Sequence, residues 1–148
     1  MDNLEYLGTG LKFPIEVNPA TGRVNASSGS DSVRESIYLI LMTNRKELLA
    51  RPDFGSNLDY YTFMDVNYTN VNMMIRELTE TILTQEPRID NIEITPEPDL
   101  DNGRLIMKID YWLAGQHNPD SLVFPFYLDV TEETVEDTDT FDEIEEDE

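Results

Sequence analysis

Apolar residues recur at three- and four-residue steps through Tyr68, Val71, Ile75, Leu78 and Ile82, which places one apolar face on a helix from about Thr69 to Thr84. The pattern stops at Pro87, whose ring removes a backbone N–H, fixes φ and pushes the preceding Glu86 out of helical geometry. An earlier helix is predicted from a Ser30 cap to about Met42. Val33, Ile37, Ile40 and Leu41 make its buried face, and Asp31 lies where the helix dipole favours an anion. Between the two come an irregular turn around Pro52 and Gly55 and a short helix near Leu58 to Tyr61. Met73 and Met74 read as core filler on the long helix, not as an adaptable methionine groove.

Beyond Pro87 the apolar period changes to two. Ile89, Ile92 and Ile94 lead into Pro96-Glu97-Pro98, and Asp101-Asn102-Gly103 turns the chain into Leu105, Met107, Ile109 and Tyr111. Asn118-Pro119-Asp120 makes a second turn before a last strand at Leu122 to Val130. The expected fold class is α+β, with two main helices packed on a small, largely antiparallel C-terminal sheet of three strands. Proline cannot donate to a ladder, so the strand holding Pro125 is expected at an edge or at a bulge. Residues up to about Ser30 are rich in Gly, Pro, Asn and Ser, with Asn18-Pro19 and Thr21-Gly22 as turn signals, and read as an extended arm with at most a short hairpin. The expected division is an N-terminal arm at 1–30, one α+β domain at 31–130 and a disordered acidic tail at 131–148.

Charge is concentrated at one end. Of 31 acidic residues in the 148, twelve fall between Asp129 and Glu148, where there is no base, leaving nineteen acids against ten bases elsewhere. A like-charge run of this kind repels itself and buries too little apolar area to offset ordering. The field disfavours nucleic acid, because phosphate contacts need clustered Lys and Arg. A rival role for the tail is a DNA mimic or a lure for a basic partner. With no cysteine there is no disulfide, thiolate nucleophile or Cys-based zinc site. No apolar run approaches the roughly 20 residues that span a bilayer, and Met1-Asp2-Asn3-Leu4-Glu5 lacks the pattern of a signal peptide, so synthesis in the cytoplasm and no direct membrane insertion are expected. His117 lies in a loop without a nucleophile motif, and Asp99, Asp101, Asn102 and Gly103 lack the spacing and final glutamate of a calcium loop. Neither a metal nor a cofactor is predicted.

Glu86-Pro87-Arg88 stands at the corner where the helical pattern gives way to the strand pattern. Its charges read either as a local ion pair or as a site offering the Arg88 fork to carboxylates or carbonyls. With Thr43-Asn44, Glu47, Arg51-Pro52-Asp53-Phe54-Gly55 and Gly8-Thr9-Gly10-Leu11-Lys12-Phe13-Pro14, the corner resembles the baseplate wedge and sheath-initiator family of contractile phage tails and contractile injection systems. The similarity runs in order from about Gly8 to about Leu128. The Glu-Pro-Arg corner is its most specific part and the Pro-x-Phe-Gly turn the next. Where the family often has Gly-Glu-Arg, this chain has Lys46-Glu47-Leu48, so only the acid is kept and no role is carried over for that arginine.

The resemblance implies a structural, non-enzymatic baseplate component that joins the wedge and initiates sheath polymerisation, its sheet accepting sheath arms by strand addition. It implies six copies around the tube. Its implied partners are sheath subunits, baseplate wedge proteins and inner-tube or tube-initiator proteins, with Glu86, Pro87 and Arg88 facing the wedge. The family's lysozyme-like label raises an alternative, a peptidoglycan-cleaving hydrolase. That chemistry needs two carboxylates on one glycosidic bond, about 5–5.5 Å apart for retention or about 6.5–9.5 Å for inversion. Glu47, Asp53 and Glu86 are the candidates, although no catalytic residue is assigned.

Overall fold

The computed structural model describes residues 4–129. After a 3-10 turn at Leu4–Leu7, β1 (Thr9–Leu11) and β2 (Ala26–Ser28) pair antiparallel with Thr9 opposite Ser28. The arm is therefore a docked hairpin: Leu7 belongs to the main core, and both strands lie against the helix that follows. That helix, α1 (Ser30–Met42), buries Val33, Ile37, Ile40 and Leu41 as the spacing predicts. Its cap differs from the expectation. Gly29, at φ 62°, holds the N-cap position without a side-chain bond, and Ser30 is the first helical residue. The hairpin enters the helix through a positive φ, which glycine adopts without a Cβ penalty.

A single turn, α2 (Leu58–Tyr61), precedes the long helix α3 (Tyr68–Gln85). Asn67 caps α3 by accepting from the Asn70 N–H at 2.8 Å. The buried stripe of α3 is Met74, Leu78, Thr81 and Ile82, with Val71 and Ile75 partly covered. Tyr68, expected on this face, is the first residue of the helix and is 86% exposed. The two methionines divide: Met74 is core filler as expected, whereas Met73, one position round the helix, is 59% exposed.

The C-terminal sheet has the order β3-β4-β5, all antiparallel, from β3 (Ile89–Asp99), β4 (Arg104–Leu113) and β5 (Asp120–Tyr127). Central β4 alternates strictly, with Leu105, Met107, Ile109, Tyr111 and Leu113 buried. Against them lie Ile92 and Ile94 of β3 and Phe124 and Phe126 of β5, and the helices cover this face alone. The opposite face is open, and Glu93, Thr95, Glu97, Lys108, Val123 and Tyr127 are exposed on it. β3 continues through Pro96 and Pro98, which the sequence pattern placed at its end, because an edge strand loses nothing where a proline faces outward. Pro125 likewise lies on an edge, in β5. The acidic segment 131–148 and Val130 lie outside the described residues.

Candidate partner-binding site

Pro87 ends α3 as its chemistry requires: Glu86 is the C-cap at φ −119°, ψ 88°, and its N–H still reaches the Ile82 carbonyl at 2.8 Å. Two residues on, Arg88 folds back on Glu86. Its Nε donates to Glu86 Oε1 at 2.6 Å and its Nη2 to Oε2 at 2.7 Å, a two-pronged pair matched to the carboxylate. The backbone N–H of Arg88 adds a bond to Oε1 at 3.2 Å. Its Nη1 donates to the Leu7 carbonyl at 2.9 Å and the Ser32 hydroxyl at 3.2 Å. One guanidinium thus ties the end of α3 to the N-terminal segment, to α1 and to the start of β3.

The Arg88 carbonyl accepts from Ala114 N–H at 2.9 Å, and the Tyr6 hydroxyl donates to the Ala114 carbonyl, which brings in the β4–β5 loop. Glu86 is 2% exposed. Burial, the largest influence, pushes its carboxyl up, but the hydrogen bonds of Arg88 and neighbouring groups outweigh burial and hold it below its ordinary 4.5. Pro87 is exposed and the Arg88 side chain is partly so, leaving one side of the corner facing outward.

The second motif lies beside the first. Gly55 has φ +104°, and a Cβ there would come within 2.3 Å of the Thr43 carbonyl oxygen, so the turn requires glycine. Gly55 N–H donates to Gln85 Oε1 at 2.9 Å, and Gln85 Nε2 returns bonds to the carbonyls of Gly55 at 2.9 Å and Asp53 at 3.1 Å. Gln85, which the sequence reading did not single out, joins the Pro-x-Phe-Gly turn to the residue before Glu86. Its position directly ahead of the Glu-Pro-Arg triplet was the available signal. Between the turn and α3 is an open groove of about 750 Å³, lined in part by Arg45, Arg51, Asp53, Glu77 and Glu80. Arg51 lies over the Phe54 ring at 5.1 Å, and Arg45 donates to the Thr81 hydroxyl at 3.1 Å.

Of the three candidate carboxylates, only Asp53 lines this groove. Glu47 accepts from the Asn44 N–H at 2.8 Å as a local loop clasp, and Glu86 is closed off by Arg88. A general acid needs a proton near neutral pH, whereas Glu86 is held ionised. His117 is exposed in the β4–β5 loop. Asp99 is engaged by Asn102 at 2.9 Å and Arg104 at 2.7 Å, which close the β3–β4 turn.

The sheet edges complete the site. Among the described residues, no backbone group of Asp120–Tyr127 bonds to anything but β4, whereas in β3 Ile89 N–H donates to the Glu86 carbonyl and Ile92 N–H to Asn91 Oδ1 at 2.9 Å. A family model described as baseplate wedge protein gp25 matches residues 27–118. The baseplate wedge protein gp25 of Enterobacteria phage T4 is 26% identical over 99 residues, which are 67% of this chain and 74% of that protein. Among solved structures, a Geobacter sulfurreducens protein provisionally called a tail lysozyme is 35% identical with a TM-score of 0.65, over 71% of this chain and 96% of that one. A chain in the six-fold symmetrised baseplate of the anti-feeding prophage is 27% identical with a TM-score of 0.63, over 74% of this chain and 88% of that one.

Proposed function

From the premise that the chain belongs to the baseplate wedge protein gp25 family, and is a structural component of the baseplate of a contractile tail or injection system, we propose that it initiates the sheath. In this reading an extended arm of a sheath subunit joins the three-stranded sheet as a further strand, and its main-chain hydrogen bonds seed polymerisation. The observation that carries it is the sheet itself: three strands, two outer edges, and along β5 outward backbone groups without partners among the described residues. Edges of this kind either recruit a strand or aggregate.

The rest of the reading follows from an assembly role. The protein folds in the cytoplasm of the producing cell and enters the baseplate as six copies, in contact with wedge proteins and with the inner tube or its initiator. No helix among the described residues is long and apolar enough to cross a membrane. Glu86, Pro87 and Arg88 form the wedge contact, with the internal clamp fixing the corner and its exposed side meeting the partner. The protein is not an enzyme; the burial of Glu86 against Arg88 supports this, since it removes one candidate acid from any open site.

The test is affinity purification of assembled particles, followed by electron microscopy and a peptidoglycan digestion assay. Sheathed tubes carrying the protein are expected, and an Arg88→Ala chain that remains folded by circular dichroism is expected to be missing from wedges, leaving tubes unsheathed. Sheathed particles containing Arg88→Ala would remove the corner from the interface. Peptidoglycan cleavage by the purified chain, lost with Asp53→Asn, would replace this reading with a hydrolase.

A further inference from the structure

We propose that β5 is the edge that accepts the added strand, and that its occupant is an extended apolar segment with lysine or arginine at the end lying beside the C-terminus of β5. The proposal rests on the reading that this sheet engages its partner by strand addition.

Proline fixes which residues of each edge point outward, because it is tolerated where its missing N–H is not needed by the ladder. Pro125 pairs with Ile106 in β5, so Ser121, Val123 and Tyr127, two-residue steps away, send their N–H groups outward with it. In β3 the same logic applies to Pro96 and Pro98, and of the outward set Ile92, Ile94, Pro96 and Pro98 two have no N–H and a third, Ile92, donates to Asn91 Oδ1 at 2.9 Å. The open-face side chains differ as well. On β3 they include Glu93 and Glu97, with Asp90 exposed at the strand's start, and a charged fringe is a standard guard of an edge. On β5 they are Ser121, Val123, Pro125 and Tyr127; none is charged, and Val123 and Tyr127 are 59% and 62% exposed. One edge is guarded by chemistry and by proline, and the other is left apolar and largely able to donate.

The helix side of β5 fits the same occupant. Phe13 and Pro14 of the arm, Arg34, Glu35 and Tyr38 of α1 and Leu122 of β5 line a largely apolar recess of about 320 Å³ at this margin. The rings of Phe13 and Tyr38 lie 5.9 Å apart, and Tyr38 meets Phe124 edge-on at 6.0 Å. Alternate side chains of an added strand would fall to this recess and to the Val123–Tyr127 face, so both sets meet mainly apolar side chains. Charge selects the end. The twenty residues from Asp129 onward carry twelve acids and no base, directly after the strand. Asp129 N–H donates to the Thr62 carbonyl at 2.9 Å, which closes the margin just past Tyr127, so a partner strand ends where the acidic run departs; this favours Lys or Arg at that end of the partner and disfavours a second copy of this chain. This gives the acidic run a part in recognition.

The experiment places the photo-crosslinking residue p-benzoylphenylalanine at Val123 or at Thr95, both exposed on the open face, in full-length chains made in cells that assemble the particle. Irradiation is expected to join the Val123 chain to a sheath-subunit segment that carries basic residues, identified by mass spectrometry, and to leave the Thr95 chain unjoined. Joining through Thr95, alone or as well, overturns the choice of edge while strand addition stands. No sheath cross-link from either position, in particles that contain the protein, sinks strand addition itself. Two copies of this chain joined through Val123 would assign β5 to self-association, and a sheath segment without Lys or Arg would overturn the charge argument. Independently, Val123→Pro removes an outward donor and is expected to lower the yield of sheathed particles at least tenfold with a native circular dichroism spectrum; an unchanged yield from a folded variant overturns the proposal.

Discussion

At the Glu86–Arg88 corner the polar groups find their partners inside the chain, whereas along the outer margin of β5 the backbone groups find none. Both regions are built from groups that demand hydrogen bonds, and they answer the demand in opposite ways. The corner uses one guanidinium to close four segments, so its energy goes into holding the fold. The edge leaves its donors and acceptors to water, or to an incoming strand, and contributes little to the monomer. If the comparison is right, substitutions at the corner change stability first, and substitutions at the edge change assembly alone.

The largest effect is expected from Glu86→Ala. Removing one partner of a buried ion pair leaves the other unpaired and typically costs about 3–5 kcal/mol. Arg88 retains part of its side chain in solvent, so the lower end, about 3 kcal/mol, is expected here. Urea unfolding checks it. A loss under about 1 kcal/mol would mean that the clamp is ornamental and that the corner and the edge do not differ as described.

Acid provides a second, smaller handle on the same clamp. Glu86 has a folded-state pKa below its ordinary 4.5, so the stability it contributes is present above that value and is lost as pH falls through the folded value. The rest of this acidic chain behaves differently, because protonating its many exposed carboxylates relieves self-repulsion. The two are separated by difference. The stability gap between the natural chain and Glu86→Gln is expected to be constant from pH 7 to about 5 and to narrow below 4.5. A gap that widens in acid would show that burial, and not Arg88, governs the carboxyl.

Much of the frame was legible in the chain, for reasons that are local. Pro87 had to end a helix, and the alternation at Leu105, Met107, Ile109 and Tyr111 had to be a strand with one buried face. What could not be read depends on distance along the chain. Arg88 points inward because the Leu7 carbonyl, 81 residues away, and the Ser32 hydroxyl are waiting for it, and no spacing rule reports that. Gln85 looked like an ordinary helix-end residue until the turn at Gly55 came round to meet it. Nor did spacing reveal that Tyr68 would go uncovered, or that Gly29 would take the cap in place of Ser30, since both depend on how the neighbouring segments enter. Local composition is enough to form elements, and the site is made where distant elements meet.

The smallest effect on stability, and the sharpest test of the contrast, is expected at the edge. Val123 projects from the open face, 59% exposed, with Lys108 as its neighbour in β4. Val123→Lys removes little buried apolar area and places an ammonium where water already reaches. Against that stand only a modest loss of β-propensity and a like-charge contact with Lys108, each worth a few tenths of a kcal/mol. The unfolding free energy is therefore expected to move by less than about 0.5 kcal/mol. The same lysine would guard the margin against an added strand and repel one with basic residues, so sheathed particles should be lost although the monomer is unchanged. A folded Val123→Lys chain that still yields sheathed particles would show that β5 is only a sheet margin, and the partnerless backbone groups would then mark where the fold ends and not where assembly begins.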